Sequence, residues 1–482
     1  MKSGALAMLL AALIAAGCTG TPRTPESPAI ASALPLPPPA AEGGGAWPQK
    51  DWWRRYQDPT LDQLIEAGLA KAPNLQAAHA RFEQARESVR LAGSATGAQV
   101  SLAGELDRQR LSDNGVFPPQ LLGFHWYNQA SLGLQVNYTF DWWGKQRAAI
   151  AAALDQAHAA AADRSAAELL LASSIADTYF GWQADQQRLA LARENLALAE
   201  RAAQIAAERV QADLESADSV HHADTAVAVA REQVAILEGS ARLRIVALAA
   251  LCGRSEADLP RLEERPLPAV IAAVPDNVRL DLISRRADIT ASRWRIEAMQ
   301  QNVRSARAQF FPDISINVLA GVSSIDVGKL LEYGSRVPQA GVALHLPIFD
   351  NGTLDAQYHG TIAQWHSAIA SYDQTLVDAA RDVSTQLATR QQLLARREQR
   401  LIEAQIAVKL HSSAAAQVRQ GLVDGRIELS AAEVLLEQRD GLMQLDAQLL
   451  SADIGLQRAL GGGYDAAQEI SNSPSSNNQS TP

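Results

Sequence analysis

The chain has 482 residues, 47% of them apolar and 20% charged, a globular balance in a length that exceeds one ordinary domain. Its formal net charge of -10 argues against a nucleic-acid groove. Alanine dominates the apolar set and aromatics are only 5%, which points to helices in close contact.

The first residues address location. Lys2 precedes an apolar run from Ala5 to Ala16. At about a dozen residues it is too short to span a bilayer and has the proportions of a signal h-region. Ala15-Ala16-Gly17-Cys18 follows and is similar to a bacterial lipobox, with Ala15 where leucine is usual. Residues 1–17 therefore read as a lipoprotein signal peptide, and Cys18 as the acceptor of a diacylglycerol and an N-acyl chain. Thr19, not aspartate, comes next, which by analogy with bacterial lipoproteins favours the outer membrane. The only other cysteine is Cys252, so a lipid on Cys18 leaves no intramolecular disulfide. Cys252 reads as a small packed residue at a helix end.

Residues 18–50 form a Pro-rich tether, with Pro35-Leu36-Pro37-Pro38-Pro39 incompatible with helix or central strand. Residues 465–482 read as a Ser/Asn-rich disordered tail. Between these ends the chain repeats itself, with residues 51–260 as a first repeat and 261–464 as a second. Val100-Ser101-Leu102 returns as Ile314-Ser315-Ile316, Phe140-Asp141 as Phe349-Asp350, and Ala250-Leu251 as Ala459-Leu460. A near-constant offset across several matches indicates duplication. Each half reads helix, strand, strand, long helix, helix.

Four segments alternate apolar and polar residues with period two: Val100 to Asp107, Ser131 to Phe140, Asp313 to Ser323, and Val342 to Ile348. Lengths near ten residues suit tilted membrane-crossing strands, although a half-buried soluble sheet has the same pattern. Lys145 to about Gln211 contains no proline and one glycine, Gly181, and reads as a single helix of roughly 100 Å. Gly352 to about Gln420 is its counterpart. Return helices are expected over Ser219–Leu251 and Arg426–Leu460. None of these helices carries an apolar run of transmembrane length. Strands in lipid must close, and four are too few, so several chains must pool strands. Trp142 and Trp143 fall where a strand meets a helix, and Trp126 and Tyr127 at the strand's other end, as two interfacial girdles.

With these residues in hand, the chain resembles the outer-membrane factors of the TolC family, in its lipoprotein branch of NodT-like and OprM-like efflux proteins. The matching motifs are Asp58-Pro59-Thr60-Leu61-Asp62, Phe140-Asp141-Trp142-Trp143-Gly144-Lys145, Arg285-Arg286-Ala287-Asp288-Ile289, Phe310-Phe311-Pro312-Asp313-Ile314 and Leu346-Pro347-Ile348-Phe349-Asp350. Ala287 stands where the family usually has proline. The resemblance implies a mainly α fold with a transmembrane β-barrel contribution. It implies a homotrimer whose copies each give four strands to a 12-strand barrel and four helices to a periplasmic tunnel. It further implies docking to a periplasmic adaptor and an inner-membrane pump, with the chain as a passive conduit for small molecules such as drugs or toxic compounds. A lipid-anchored periplasmic coiled-coil tether without a pore is the alternative.

The resemblance places a gate where the paired helices turn, near Asp213 to Ser219 and Gly421 to Ser430. The family often has aspartate at the positions aligned with Ser219 and Ser430. Asp218, Asp424 and Glu428 are candidates for an acidic rim in their place, with Arg426 as a partner to one of them and Arg419 as a second basic candidate. Leu422 and Leu429 are candidates for adaptor contact or constriction, or for helix packing. His221-His222 point to different sides of a helix and make a poor metal pair. Gly461-Gly462-Gly463 lacks the lysine of a phosphate loop and reads as a helix stop. No catalytic signature is found and no cofactor is expected beyond the lipid on Cys18.

Overall fold

The computed structural model describes residues 46–114, 119–270 and 285–466. Cys18, the signal-like segment, most of the tether and most of the C-terminal tail lie outside them. The described elements, in chain order, are α1 (Pro59–Lys71), α2 (Pro73–Ser94), β1 (Gln99–Arg110), β2 (Trp126–Phe140), α3 (Lys145–Gln211) and α4 (Ala217–Leu251). They continue with α5 (Ala287–Ala308), β3 (Asp313–Ser324), β4 (Arg336–His345), α6 (Thr353–Arg419) and α7 (Gly425–Ala459). Equivalent elements of the two halves match in length. Both α3 and α6 have 67 residues, both α4 and α7 have 35, and both α2 and α5 have 22.

The starts of the two long helices show why the motifs repeat. Gly144 and Gly352 take positive φ of 76° and 80°, a backbone turn that a side chain would strain. Asp141 then accepts from the backbone N–H of Gln146 and Arg147, at 3.1 and 2.8 Å. Asp350 accepts from those of Gly352 and Leu354, at 3.2 and 2.6 Å. Each carboxylate satisfies donors that the first helical turn leaves open. At the far end of the fold's last helix, Gly461, Gly462 and Gly463 all have positive φ, so the triplet does stop α7.

The described residues form two compact units, and each takes segments from both halves of the sequence. The first comprises residues 82–114, 119–160 and 292–372. It holds one antiparallel sheet in the order β1-β2-β3-β4. The strands are adjacent in pairs along the chain, but the sheet joins the pairs: β2 lies against β3, with Val136 opposite Val318 and Phe140 opposite Ile314. Below β2 and β3, Trp143 stacks on Phe311 at 4.6 Å and donates its indole N–H to the Pro312 carbonyl at 3.0 Å. Lys145 Nζ reaches Asp313 Oδ2 at 3.3 Å. The expected last strand is displaced. β4 ends at His345, before Leu346-Pro347, because Pro347 has no N–H to donate and restricts the residue before it. Ile348 therefore lies beyond the strand, exposed.

The second unit comprises residues 46–81, 161–270, 285–291 and 373–466. Its core buries Leu61, Leu64 and Ile65 of α1 completely against Ile175 and Tyr179 of α3 and Leu248 of α4. Cys252 ends α4 in the same core, with Sγ 3.5 Å from the Leu64 carbonyl, and burial pushes its thiol pKa up. It is thus a packed residue. Salt bridges tie the helices along their lengths: Asp185 to Arg244 and Arg193 to Glu238 join α3 to α4, while Arg188 to Asp440 joins α3 to α7.

Two motif residues make buried polar joints. Asp58 caps α1 by accepting from Thr60 and Leu61 N–H, and also accepts from the Tyr179 hydroxyl at 2.8 Å. Gln183 donates to that hydroxyl and to the Glu263 carbonyl, and accepts from Arg265 N–H. Arg286 grips Asp288 with two bonds and donates to the Ala459 carbonyl at 3.0 Å, so it binds the start of α5 to the end of α7. Burial, then the Asp58 bond, pushes the Tyr179 hydroxyl up to about 12, so it remains a donor at all ordinary pH. Tyr179→Phe should leave Asp58 and Gln183 each short of a partner and cost about 1–3 kcal/mol, read as a lower urea midpoint of the purified protein.

Candidate functional site

The sheet carries the first functional feature. Its register places residues of even number on one face of all four strands: Val100 faces Val136, Val136 faces Val318, and Val318 faces Ala340. That face is apolar over most of its height. Leu102, Leu134 and Ala320 share one rung, and Tyr138, Ile316 and Val342 another. Leu102 is 69% exposed and Val342 73%, so large apolar side chains stand uncovered where water would make them unfavourable. The opposite face is polar, with Ser101, Gln135, Asn137, Asn317 and Ser315 among its members. All three acids of the strands, Glu105, Asp107 and Asp313, lie on it. One face for lipid and one for water is the arrangement of a barrel wall.

Aromatic residues bound the apolar face at both ends. At the helix-proximal end Tyr138, Phe140 and Trp142 follow one another, with ring centroids 5.0 and 6.0 Å apart. Trp142 is 63% exposed, while Trp143 is partly held by Phe311 and Pro312. At the distal end Trp126 lies on the apolar face, beneath the Arg108 guanidinium. Tyr127 does not join it. Successive strand residues point to opposite faces, and the Tyr127 hydroxyl donates to Gln109 Oε1 at 2.9 Å on the polar side. Trp126 and Tyr127, expected together as the distal girdle, thus lie on opposite faces of the sheet.

The second feature belongs to the other unit, where α3 turns into α4 and α6 into α7. Both turns are built alike. Asp213 and Gly421 take positive φ of 58° and 69°, and the next residues, Leu214 and Leu422, project with 62% and 68% exposure. Asp424 caps α7, accepting from Arg426 N–H at 3.0 Å. Four charges then bridge the two turns. Arg426 reaches Asp424 at 3.0 Å on its own turn and Glu215 at 2.5 Å on the other. Arg209 reaches Glu215 at 2.9 Å and Asp424 at 3.4 Å. Two cations alternate with two anions, and their formal charges cancel.

The sequence named Asp424 and Arg426, and the structure brings them together. Arg209 and Glu215 escaped notice because a separation of six is no regular helix spacing, and each meets its other partner across about two hundred residues. Of the other candidates, Asp218 is exposed on the first turn of α4, and the Ser219 hydroxyl lies between the Ser216 carbonyl, at 2.7 Å, and the Glu215 carboxylate. Glu428, Ser430 and Arg419 have no ion pair among the described residues. Of the three acids expected at the rim, Asp424 is paired with two arginines, Arg209 and Arg426. His221 and His222 are both exposed, and no set of three metal-ligating side chains occurs among the described residues.

The Arg209 hydrogen bond outweighs the opposing effect of desolvation and, with the Arg426 charge and the Ser219 hydroxyl, holds the Glu215 carboxyl below its ordinary value. The Arg426 backbone N–H and guanidinium do the same for Asp424. A depressed carboxyl stabilises the folded arrangement above its unfolded pKa and ceases to do so as pH falls through its folded pKa. Hydrogen exchange at residues 212–216 and 421–424 should stay slow at neutral pH and accelerate as pH drops below the ordinary carboxylate range, after correction for intrinsic rates. Arg426→Ala should produce that acceleration at neutral pH.

A sheet with one lipid-type face, in a chain with two 67-residue helices, defines the class as a channel-forming outer-membrane protein. The sequence profile of the outer membrane efflux protein family matches residues 64–254 and 279–462, and the chain belongs to that family. It is 33% identical over 429 residues to the multidrug resistance outer membrane protein MdtP of Escherichia coli O6:H1, covering 87% of this chain and 88% of that protein. It is 30% identical over 474 residues to the multidrug resistance outer membrane protein MdtQ of the same organism, covering 94% and 96%. Among solved structures, the outer membrane protein VceC of Vibrio cholerae superposes with a TM-score of 0.78 at 32% identity, covering 87% of this chain and all of that one. The chain is an efflux channel protein of the outer membrane.

Proposed function

We propose that three copies of this chain close one barrel of 12 strands, four from each, and continue it as a helical tunnel into the periplasm. The observation that carries this reading is the pair of open sheet edges. β1 and β4 each have a strand partner on one side only, beside an apolar face that suits lipid. Unpaired backbone groups cost several kcal/mol each in hydrocarbon, so the β4 edge of one copy must meet the β1 edge of the next. Exposed apolar residues on the helices supply further contact. Val229, Ile236 and Leu243 recur every seven residues along α4, and Ile402, Ile406 and Leu410 every four along α6.

In this assembly the chain supplies the passage and no energy. A periplasmic adaptor would dock on the exposed hairpin tips, where Leu214 and Leu422 stand out, and an inner-membrane pump would drive small molecules through. The names of MdtP and MdtQ, as multidrug resistance proteins, favour drug-like cargo. The square of Arg209, Glu215, Asp424 and Arg426 acts as a latch between the two hairpins of each copy, and Cys18 carries the lipid anchor.

Purified protein in planar bilayers should give trimers of low conductance. The double variant Arg209→Ala/Arg426→Ala should raise the open fraction without changing the trimer. Trimers that never conduct, even with the latch removed, would favour the poreless tether. Separately, Cys18→Ala should abolish incorporation of radiolabelled palmitate in cells, and unchanged labelling would exclude the anchor.

A further inference from the structure

The four strands contain three arginines, Arg108, Arg110 and Arg336, and no lysine. All three have even numbers, so all lie on the apolar face, and all stand at the end of the sheet away from the helices. The strands end progressively from β1 to β4. Arg110 and Trp126 close the β1–β2 pair, whereas Arg336 opens β4 six residues lower, opposite Val322. A stepped edge of this kind is what strand tilt produces at a level rim.

These cations are not spent on structural ion pairs to equal degrees. Arg110 reaches Asp113 at 3.4 Å. Arg108 has only the Trp126 ring, 5.7 Å from its guanidinium carbon, and Arg336 only the Tyr333 ring at 4.2 Å. Among the described residues neither has a carboxylate partner. A guanidinium over an aromatic ring keeps its N–H donors for another acceptor, and both arginines are exposed. The opposite rim of the same face is different. Tyr138, Phe140 and Trp142 border it, and the nearby cations Lys145 and Arg147 are paired with Asp313 and Asp141.

A basic group on a lipid-facing surface is unfavourable in hydrocarbon and tolerable at the interface. Snorkelling to water would explain one such group. Three on one rim, two of them beside aromatic rings and lacking a carboxylate among the described residues, form instead a surface complementary to phosphate. We propose that this rim binds the phosphorylated glycolipid of the outer leaflet, with Arg108 and Arg336 donating to its phosphate oxygens and Trp126 and Tyr333 lying against the sugar–acyl boundary. The inference rests on the trimeric barrel proposed above. There, the β4 edge of one copy meets the β1 edge of the next, so each seam carries Arg336 from one and Arg108 and Arg110 from the other.

The test is native mass spectrometry of the full-length protein in detergent with diphosphoryl lipid A, its dephosphorylated form, or phosphatidylethanolamine. The wild type should retain diphosphoryl lipid A in preference to the other two. Arg108→Gln/Arg110→Gln/Arg336→Gln should weaken that retention at least about tenfold, the loss expected for one or two charge-assisted hydrogen bonds. Arg147→Gln, at the helix-proximal rim, should leave it unchanged. Equal retention by the triple variant, or phosphatidylethanolamine held as strongly as lipid A by the wild type, overturns the proposal. Should the triple variant not assemble, the single variants Arg108→Gln and Arg336→Gln are read in its place, each expected to weaken retention several-fold. The same spectra report oligomer mass. An absence of trimers counts against the barrel, whereas trimers indifferent to lipid phosphate count against this inference alone.

Discussion

Antiparallel pairing of β2 with β3 is the interaction on which the rest of this protein depends. The two halves of the duplicated sequence each supply only two strands, and a two-stranded hairpin is marginal in water. Pairing Ala130–Phe140 with Ile314–Ser324 makes one sheet from both halves and aligns their apolar residues on one face. It also leaves β1 and β4 with one free edge each. Those edges, next to a lipid-type face, turn a property of one chain into a demand for further copies.

The duplication supplies matched parts, and the protein uses them unequally. Gly144 with Asp141 and Gly352 with Asp350 start the two long helices in the same way. The hairpin turns share a positive φ and a projecting leucine. Their charges, however, are not repeated. Arg209 and Glu215 belong to the first hairpin, and Asp424 and Arg426 to the second, so each cation also meets an anion on the other hairpin. Complementarity of this kind can latch two hairpins, where identical charges would repel them. Each bond in the square is partly exposed and weak alone, which suits a contact that a partner must release.

Charge is also sorted across the sheet. The strand acids occupy the polar face, and the strand arginines occupy the distal rim of the apolar one. Asp313 holds Lys145 and Arg110 holds Asp113, but Arg108 and Arg336 have no carboxylate partner among the described residues. Both placements follow from the two solvents that a membrane sheet meets at once, water on one side and lipid with its headgroups on the other.

The sequence by itself determined the elements. Period-two alternation marks strands and the proline-free, alanine-rich stretches mark helices, because both signals arise from neighbours along the chain. Lys145–Gln211 was legible almost to the residue, and the motifs around Asp58 and Arg286 were visible as words without their meaning. Strand ends were less legible: Val342–Ile348 kept its alternation past Pro347, although the backbone could not follow. What only the tertiary structure decided are the relations between distant residues. That β2 pairs with β3, that Tyr127 turns away from Trp126, and that Arg209 and Glu215 complete a square with Asp424 and Arg426 all depend on register and helix approach. A pattern in one strand or one turn carries no information about its partner, so these contacts exist only once the chain is folded.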